Sequence, residues 1–340
     1  MDAVVSNSRD MIRKGSRSFA LASRLFAPAT RDHAWMLYAW CRHCDDEIDG
    51  QELGSSPVAR PQQDPAHGPA HDPAVSLVKL RTETRRALRG EAVTDPVFQA
   101  LQRVAQEHTI RERHALELLA GFEMDVNHFS YRTLDETLLY CYRVAGVVGV
   151  MMALVMGVRD TRDLQRAADL GIAFQLTNIA RDVVDDAGHG RCYLPAEWLA
   201  EAGIPTGGIA QVEQRLAVAG VVRRLLAESD RYYQSAATGL QALGFRSAWA
   251  VATALGVYRD IGSLVLARGA RAWDTRAVVG TPRKMLYLAV GGLRAMRSVT
   301  WDRWRDAAPR AEDLWTMPEF RGAMSPGRPV DRAYPETLPP

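Results

Sequence analysis

The chain has 340 residues, 47% of them hydrophobic and 24% charged, with a formal net charge of +2. This length admits one large domain or two modest ones, and the composition excludes fibrous, collagen-like and wholly disordered classes. So balanced a charge gives no field that would hold nucleic acid, and no nucleic-acid partner is expected.

Helical periodicity dominates and strand-like alternation is nearly absent. In chain order, helices are expected over 31–50, 76–90, 96–107, 110–129, 134–157, 160–187, 210–243, 246–268 and 283–299. Thr133-Leu134-Asp135-Glu136 fits a capping box, and Thr281-Pro282 fits a cap followed by proline at the first helical position. The N-terminus has no apolar core of signal-peptide length. The longest apolar run, Val144 to Val158, is fifteen residues and reads as a buried helix, because a membrane span needs roughly 20. Residues 51–75 carry Pro57, Pro61, Pro65, Pro69 and Pro73 with few bulky apolar side chains, and are expected to be a disordered loop. The Pro-rich tail over 306–340 reads the same way. The expectation is one all-α domain over 1–305, its long helices packed side by side around a central cavity.

Two stretches carry chemistry. In Tyr38-Ala39-Trp40-Cys41-Arg42-His43-Cys44-Asp45-Asp46-Glu47-Ile48-Asp49, the side chains of Tyr38, Arg42, Asp45 and Asp49 fall on one helical stripe. In Gln175-Leu176-Thr177-Asn178-Ile179-Ala180-Arg181-Asp182-Val183-Val184-Asp185-Asp186, Asn178, Asp182 and Asp186 recur every four residues, with Gln175 just before them. A lone acidic pair at this spacing is usually a solvated surface. Here there are two rows, each beside an apolar stretch and each with an arginine, and carboxylates against a core are costly unless paired or metal-bound. Oxygen rows of this kind suit Mg²⁺, which takes one or two carboxylates and fills its other positions with water and substrate phosphate, while arginine forks take phosphate directly.

Other signals are weaker. Cys41-x-x-Cys44 has redox or zinc spacing but no second pair, and with Cys141 and Cys192 it indicates a reducing compartment. Gly146 and Gly149 permit either the close passage of a flexible ligand chain or a tight helix crossing. The 282–305 segment mixes Arg283, Lys284, Arg294, Arg297, Arg303 and Arg305 with Leu286, Trp301 and Trp304. It reads first as a helix closing the bundle, with a membrane-surface element as the alternative.

The blocks GSRSFALAS (15–23), LYAWCRHCDDEIDGQ (37–51), GFEMDV (121–126), YCYRVAGVVGVMM (140–152) and DLGIAFQLTNIARDVVDDAGHGRCYLPAEW (169–198) resemble the squalene/phytoene synthase family, on its bacterial phytoene-forming side. The resemblance implies an isoprenoid-synthase-type helical bundle. It implies a prenyltransferase that joins two geranylgeranyl diphosphates head to head through prephytoene diphosphate, the first committed step of carotenoid synthesis. It also implies Mg²⁺ (Mn²⁺ as a substitute) and no NADPH. By this resemblance Asp45, Asp49, Asp182 and Asp186 are the catalytic metal ligands, with Asn178 beside them. Ser16, Ser18, Phe19, Tyr38, Arg42, Tyr140, Gln175, Arg181, Tyr193 and Arg276 fall at substrate-binding positions. A cytoplasmic enzyme follows, with peripheral contact at the inner face of the membrane and handover to downstream carotenoid enzymes as further expectations. Alternatives are a head-to-tail elongase or terpene cyclase, a C15 squalene-type synthase, and a non-catalytic assembly factor.

Overall fold

The computed structural model describes residues 3–15, 22–50, 71–305, 307–318 and 320. The helices are α1 (Ala3–Gly15), α2 (Pro28–Asp49), α3 (Pro73–Leu88), α4 (Pro96–Glu107), α5 (Glu112–Val126) and α6 (Leu134–Cys141). They continue with α7 (Val147–Val155), α8 (Thr161–Gly188), α9 (Ala196–Glu201), α10 (Arg215–Thr238), α11 (Phe245–Arg268) and α12 (Thr281–Thr300). No strand occurs among the described residues. Local chemistry sets most boundaries. Asp72, Asp95 and Asp160 cap α3, α4 and α8 by accepting from the backbone N–H two residues on. The Thr133–Glu136 capping box forms as expected. Gly50, at φ 61°, closes α2 in the left-handed region. At α12 the cap shifts by one residue from the expected position: Gly280 is the N-cap, and Thr281 begins the helix.

A π-helical turn, Tyr142–Gly146, joins α6 to α7 and presses the backbone against its neighbours. A Cβ on Gly171 of α8 would lie 2.2 Å from the Ala145 carbonyl oxygen, and one on Gly149 would lie 2.3 Å from that of Ala167. Gly146 and Gly149 therefore serve a tight helix crossing, and Gly149 also borders the central cavity. Two helical stretches, Leu134–Val155 and Phe245–Arg271, are long and apolar enough to cross a membrane, but 61% and 56% of their apolar windows lie buried inside the bundle.

Three departures from expectation have physical causes. Helix α1 was not foreseen, because its apolar positions are sparse: Val4 and Ile12 are buried while Arg9, Asp10 and Arg13 are exposed. Residues 73–75 of the 51–75 loop are helical, because Pro73 sits at the start of α3, where proline lacks no needed hydrogen bond; residues 51–70 lie outside the described residues. The described part of the 306–340 tail is packed, with Leu314, Met317 and Phe320 buried. Arg310 forks onto Asp169, itself 1% exposed, at 2.7 and 2.8 Å. Arg166 donates to the Ala308 carbonyl, and composition alone could not show these partners. Removing one member of a buried ion pair leaves the other uncompensated, so Arg310→Ala is expected to lower unfolding free energy by about 3 kcal/mol in denaturant titrations.

Candidate active site

Helices α2, α5, α7, α8 and α11 enclose a cavity of about 530 Å³. Its walls are apolar, with Phe122, Val148, Met152, Leu170, Phe174 and Val257 among them. Polar groups gather at one end: Tyr38, Arg42, Asp45 and Asp49 from α2, Asp125 from α5, Gln175 and Asn178 from α8, and Arg191 from the segment after it. Asp163 borders the cavity near the start of α8. The helical rise puts it roughly 20 Å from Asn178.

The two acidic rows converge. Arg191, just past the C-terminal end of α8, reaches across to Asp49 of α2 at 2.7 Å. Arg42 holds Asp45 at 2.8 Å and Asp46 at 2.6 Å. Arg181 and Arg276 both clamp Asp182, through Nε contacts of 2.9 and 3.2 Å. Asp125 stands between the rows, accepting from the hydroxyls of Tyr140 at 3.0 Å and Tyr193 at 2.9 Å. Those two rings stack with centroids 4.7 Å apart.

The charges respond to this crowding. Burial pushes the Asp45 carboxyl up to about 6, with Asp49 and Asp46 adding to it against the pull of Arg42. Burial likewise lifts Asp125 to about 6, despite its two tyrosine donors. Asp186 rises to about 7, from burial and then from the neighbouring Asp182 charge. Burial also acts on Asp182, but Arg181 and Arg276 outweigh it and hold that carboxyl below the usual range. Burial pushes the Cys41 thiol up to about 12 and Cys44 well above its usual value, so this pair stays protonated and fits neither redox nor metal chemistry.

The donor set fits a hard cation. It is made of oxygens, and the Asn178 Oδ1 is buried with no hydrogen-bond partner while its amide nitrogen donates to Gln175 at 3.3 Å. The Asp186 carboxylate makes no hydrogen bond or ion pair among the described residues, which leaves it available.

Of the residues singled out in the sequence, Tyr38, Arg42, Asp45, Asp49, Tyr140, Gln175 and Asn178 border the cavity. Arg181, Asp182 and Arg276 form a paired group beside it, and Tyr193 joins through Asp125. Ser16, Ser18 and Phe19 lie outside the described residues. Sequence reasoning missed Asp125 and Arg191 as site residues. Both sit inside the blocks GFEMDV and DAGHGRCYLP, but Asp125 has no carboxylate one turn away on its helix and Arg191 lies past the end of α8, so no repeat marks either.

A family model described as squalene/phytoene synthase matches residues 12–284. The chain is 50% identical over 304 residues to a 15-cis-phytoene synthase of Enterobacter agglomerans, spanning 89% of this chain and 99% of the relative. It is 48% identical to the 15-cis-phytoene synthase of Pantoea ananas, spanning 93% and 98%. Among solved structures, a dehydrosqualene synthase in complex with ligand superposes with a TM-score of 0.73 at 25% identity, covering 85% of this chain and 95% of that one. Squalene synthase HpnC from Alicyclobacillus acidocaldarius shares the fold, with a TM-score of 0.65 at 22% identity over 79% of this chain and 94% of that one.

The raised carboxyls give a pH signature. The folded protein holds these protons to higher pH than the unfolded chain, so the stability they carry is full below about pH 4 and is lost as pH rises through about 7 for Asp186. Asp186→Asn removes that loss. In metal-free urea titrations, the stability of this variant relative to the parent is expected to climb between pH 4 and 7 and then level off. A difference independent of pH would contradict the buried, crowded carboxylate.

Proposed function

This chain belongs to the squalene/phytoene synthase family, and from that premise we propose that it is a prenyltransferase joining two geranylgeranyl diphosphates head to head into phytoene, for carotenoid synthesis. The observation that carries this reading is the convergence of two acidic rows, linked by Arg191, on the polar end of an apolar cavity.

Asp45, Asp49, Asn178, Asp182 and Asp186 are the residues that would hold Mg²⁺, with Mn²⁺ as a substitute. When bound, the metal neutralises the charge that grows on a departing diphosphate. The protein's own cations do part of the same work. Arg42 keeps a buried Nε with no acceptor, a donor free for a phosphate oxygen. Arg181 and Arg276 fork onto Asp182 and stand where a diphosphate can share them. These fixed donors act where charge develops as the allylic C–O bond breaks, so they favour the transition state over the substrate. The apolar walls then exclude water, which would otherwise quench the carbocation to an alcohol. Tyr140 turns a ring toward this chemistry, with its hydroxyl already committed to Asp125. Prephytoene diphosphate forms in the first half-reaction. Its own diphosphate leaves in the second, followed by rearrangement and proton loss. No hydride is consumed, so no NADPH is required. The four cysteines are free thiols, which supports a cytoplasmic enzyme whose product passes to later carotenoid enzymes.

Purified protein given only geranylgeranyl diphosphate and Mg²⁺ is expected to release a C40 hydrocarbon, and chelation by EDTA to stop it until Mg²⁺ or Mn²⁺ is restored. A requirement for isopentenyl diphosphate would establish an elongase instead, and C30 product from a C15 diphosphate in preference would establish a squalene-type enzyme. Asp49→Asn and Asp182→Asn are each expected to lower the rate by about 10²-fold or more. Full activity in either would refute the site.

A further inference from the structure

We propose that the outer face of α12, with the Trp301–Arg305 turn that follows it, is a docking surface for an anionic lipid bilayer. A helix on the outside of a bundle normally turns its polar residues to water. Helix α12 does the reverse. Its inner side buries Gly291, Ala295 and Ser298 against the bundle. Its outer side carries Met285, Leu286, Ala289, Leu293 and Met296, which at about 100° per residue fall within one arc roughly 100° wide. Among the described residues nothing covers that arc: Leu286 is 58% exposed and Leu293 73%. The stripe continues into Trp301 and Trp304, which are 68% and 85% exposed. So much contiguous exposed apolar surface on one element marks an interaction site.

Charge identifies the occupant. Between residues 281 and 305 there are six basic residues and one acid, Asp302, in a chain whose whole net charge is only +2. Arg283 is taken by Asp260 at 2.8 Å and Lys284 borders the cavity, which leaves Arg294, Arg297, Arg303 and Arg305 for the outer face. Arg297 borders the apolar arc on one side with Arg294 beyond it, and Arg303 and Arg305 neighbour the tryptophans in the chain. Asp302 is engaged by Arg297 at 3.4 Å, so it neutralises only one of them. A second copy of the chain docking through the same face by twofold symmetry would oppose these arginines to one another. An anionic bilayer meets both features. Apolar side chains enter the acyl boundary, tryptophans sit at headgroup depth, and arginines reach lipid phosphates. The same helix supplies Lys284 and Leu288 to the cavity wall, so the cavity lies one helix away from the proposed lipid surface. On the functional reading above, the product is a hydrocarbon with no polar atom, and this placement sets its site of formation beside the phase that dissolves it. The exposed apolar arc and its arginines are there whatever the enzyme makes.

Flotation of the full chain with vesicles tests the proposal without any activity assay. The chain is expected to float with vesicles of phosphatidylcholine and phosphatidylglycerol at low salt, and at least tenfold less with phosphatidylcholine alone or in 0.5 M salt. The triple variant Leu293→Ser, Trp301→Ser, Trp304→Ser is expected to lose at least tenfold in partitioning. The triple variant Arg294→Gln, Arg297→Gln, Arg303→Gln is expected to lose the preference for anionic lipid. These side chains are exposed and lie outside the catalytic group, so helical content and phytoene formation in detergent are expected to stay unchanged in both. Failure of the parent to bind either vesicle, or equal binding by parent and variants, overturns the proposal. So does a dimer in sedimentation that the Leu293→Ser, Trp301→Ser, Trp304→Ser variant dissociates, which would assign the face to a second copy.

Discussion

Asp45, Asp49, Asp125, Asp182 and Asp186 are gathered where two long helices flank an apolar cavity, and like charges in such a place repel one another while losing their water. Arg42, Arg181, Arg191 and Arg276 offset part of that cost, and they do so unevenly. Asp182 is clamped twice and stays ionised easily, while Asp186 has no direct partner among the described residues and Asp45 is pushed up. The folded protein thus stores an unmet demand for positive charge at one end of a hydrophobic space. A divalent cation would meet that demand, and its remaining coordination positions would suit the oxygens of a diphosphate.

The scaffold exists to keep this arrangement rigid. The acidic row of α2 rides on a helix buried through Trp35, Met36, Leu37 and Trp40, and that of α8 on one buried through Ile172, Leu176 and Ile179. Gly149 and Gly171 let α7 and the π-helical turn approach α8 at backbone contact, which fixes α8 along its first half. The packed tail adds a second anchor, because Arg310 ties it to Asp169 in the third turn of that helix. A group positioned by such a framework needs no reorganisation as charge develops, which is the source of electrostatic catalysis.

Much of this was legible in the sequence for a physical reason. Helix periodicity and the i, i+4 spacing of carboxylates are local properties, so both acidic rows and the long helices from α2 to α12 could be read directly, with α6 and α7 as one helix; the six-residue α9 is too short to show a period. What escaped depends on contacts between distant residues. Asp125 and Arg191 acquire meaning only when α5 and the segment after α8 meet α2. The Pro-rich composition around 306–320 hid Leu314, Met317 and Phe320, which are buried because the bundle offers them a groove. The sparse apolar residues of α1 likewise suffice only because α2 and α4 lie beside it. Conversely, the basic and aromatic residues of 282–305 were visible as a pattern, but only the fold shows that their apolar side turns outward.

The most direct test of the central claim is the binding of Mn²⁺, followed by electron paramagnetic resonance, with and without inorganic diphosphate. If the rows of α2 and α8 act as one cation and diphosphate site, diphosphate tightens Mn²⁺ binding, and Asp49→Asn and Asp182→Asn each weaken the combined complex by at least tenfold. Parent-like binding in either variant would mean that one row takes no part, contradicting a single shared site.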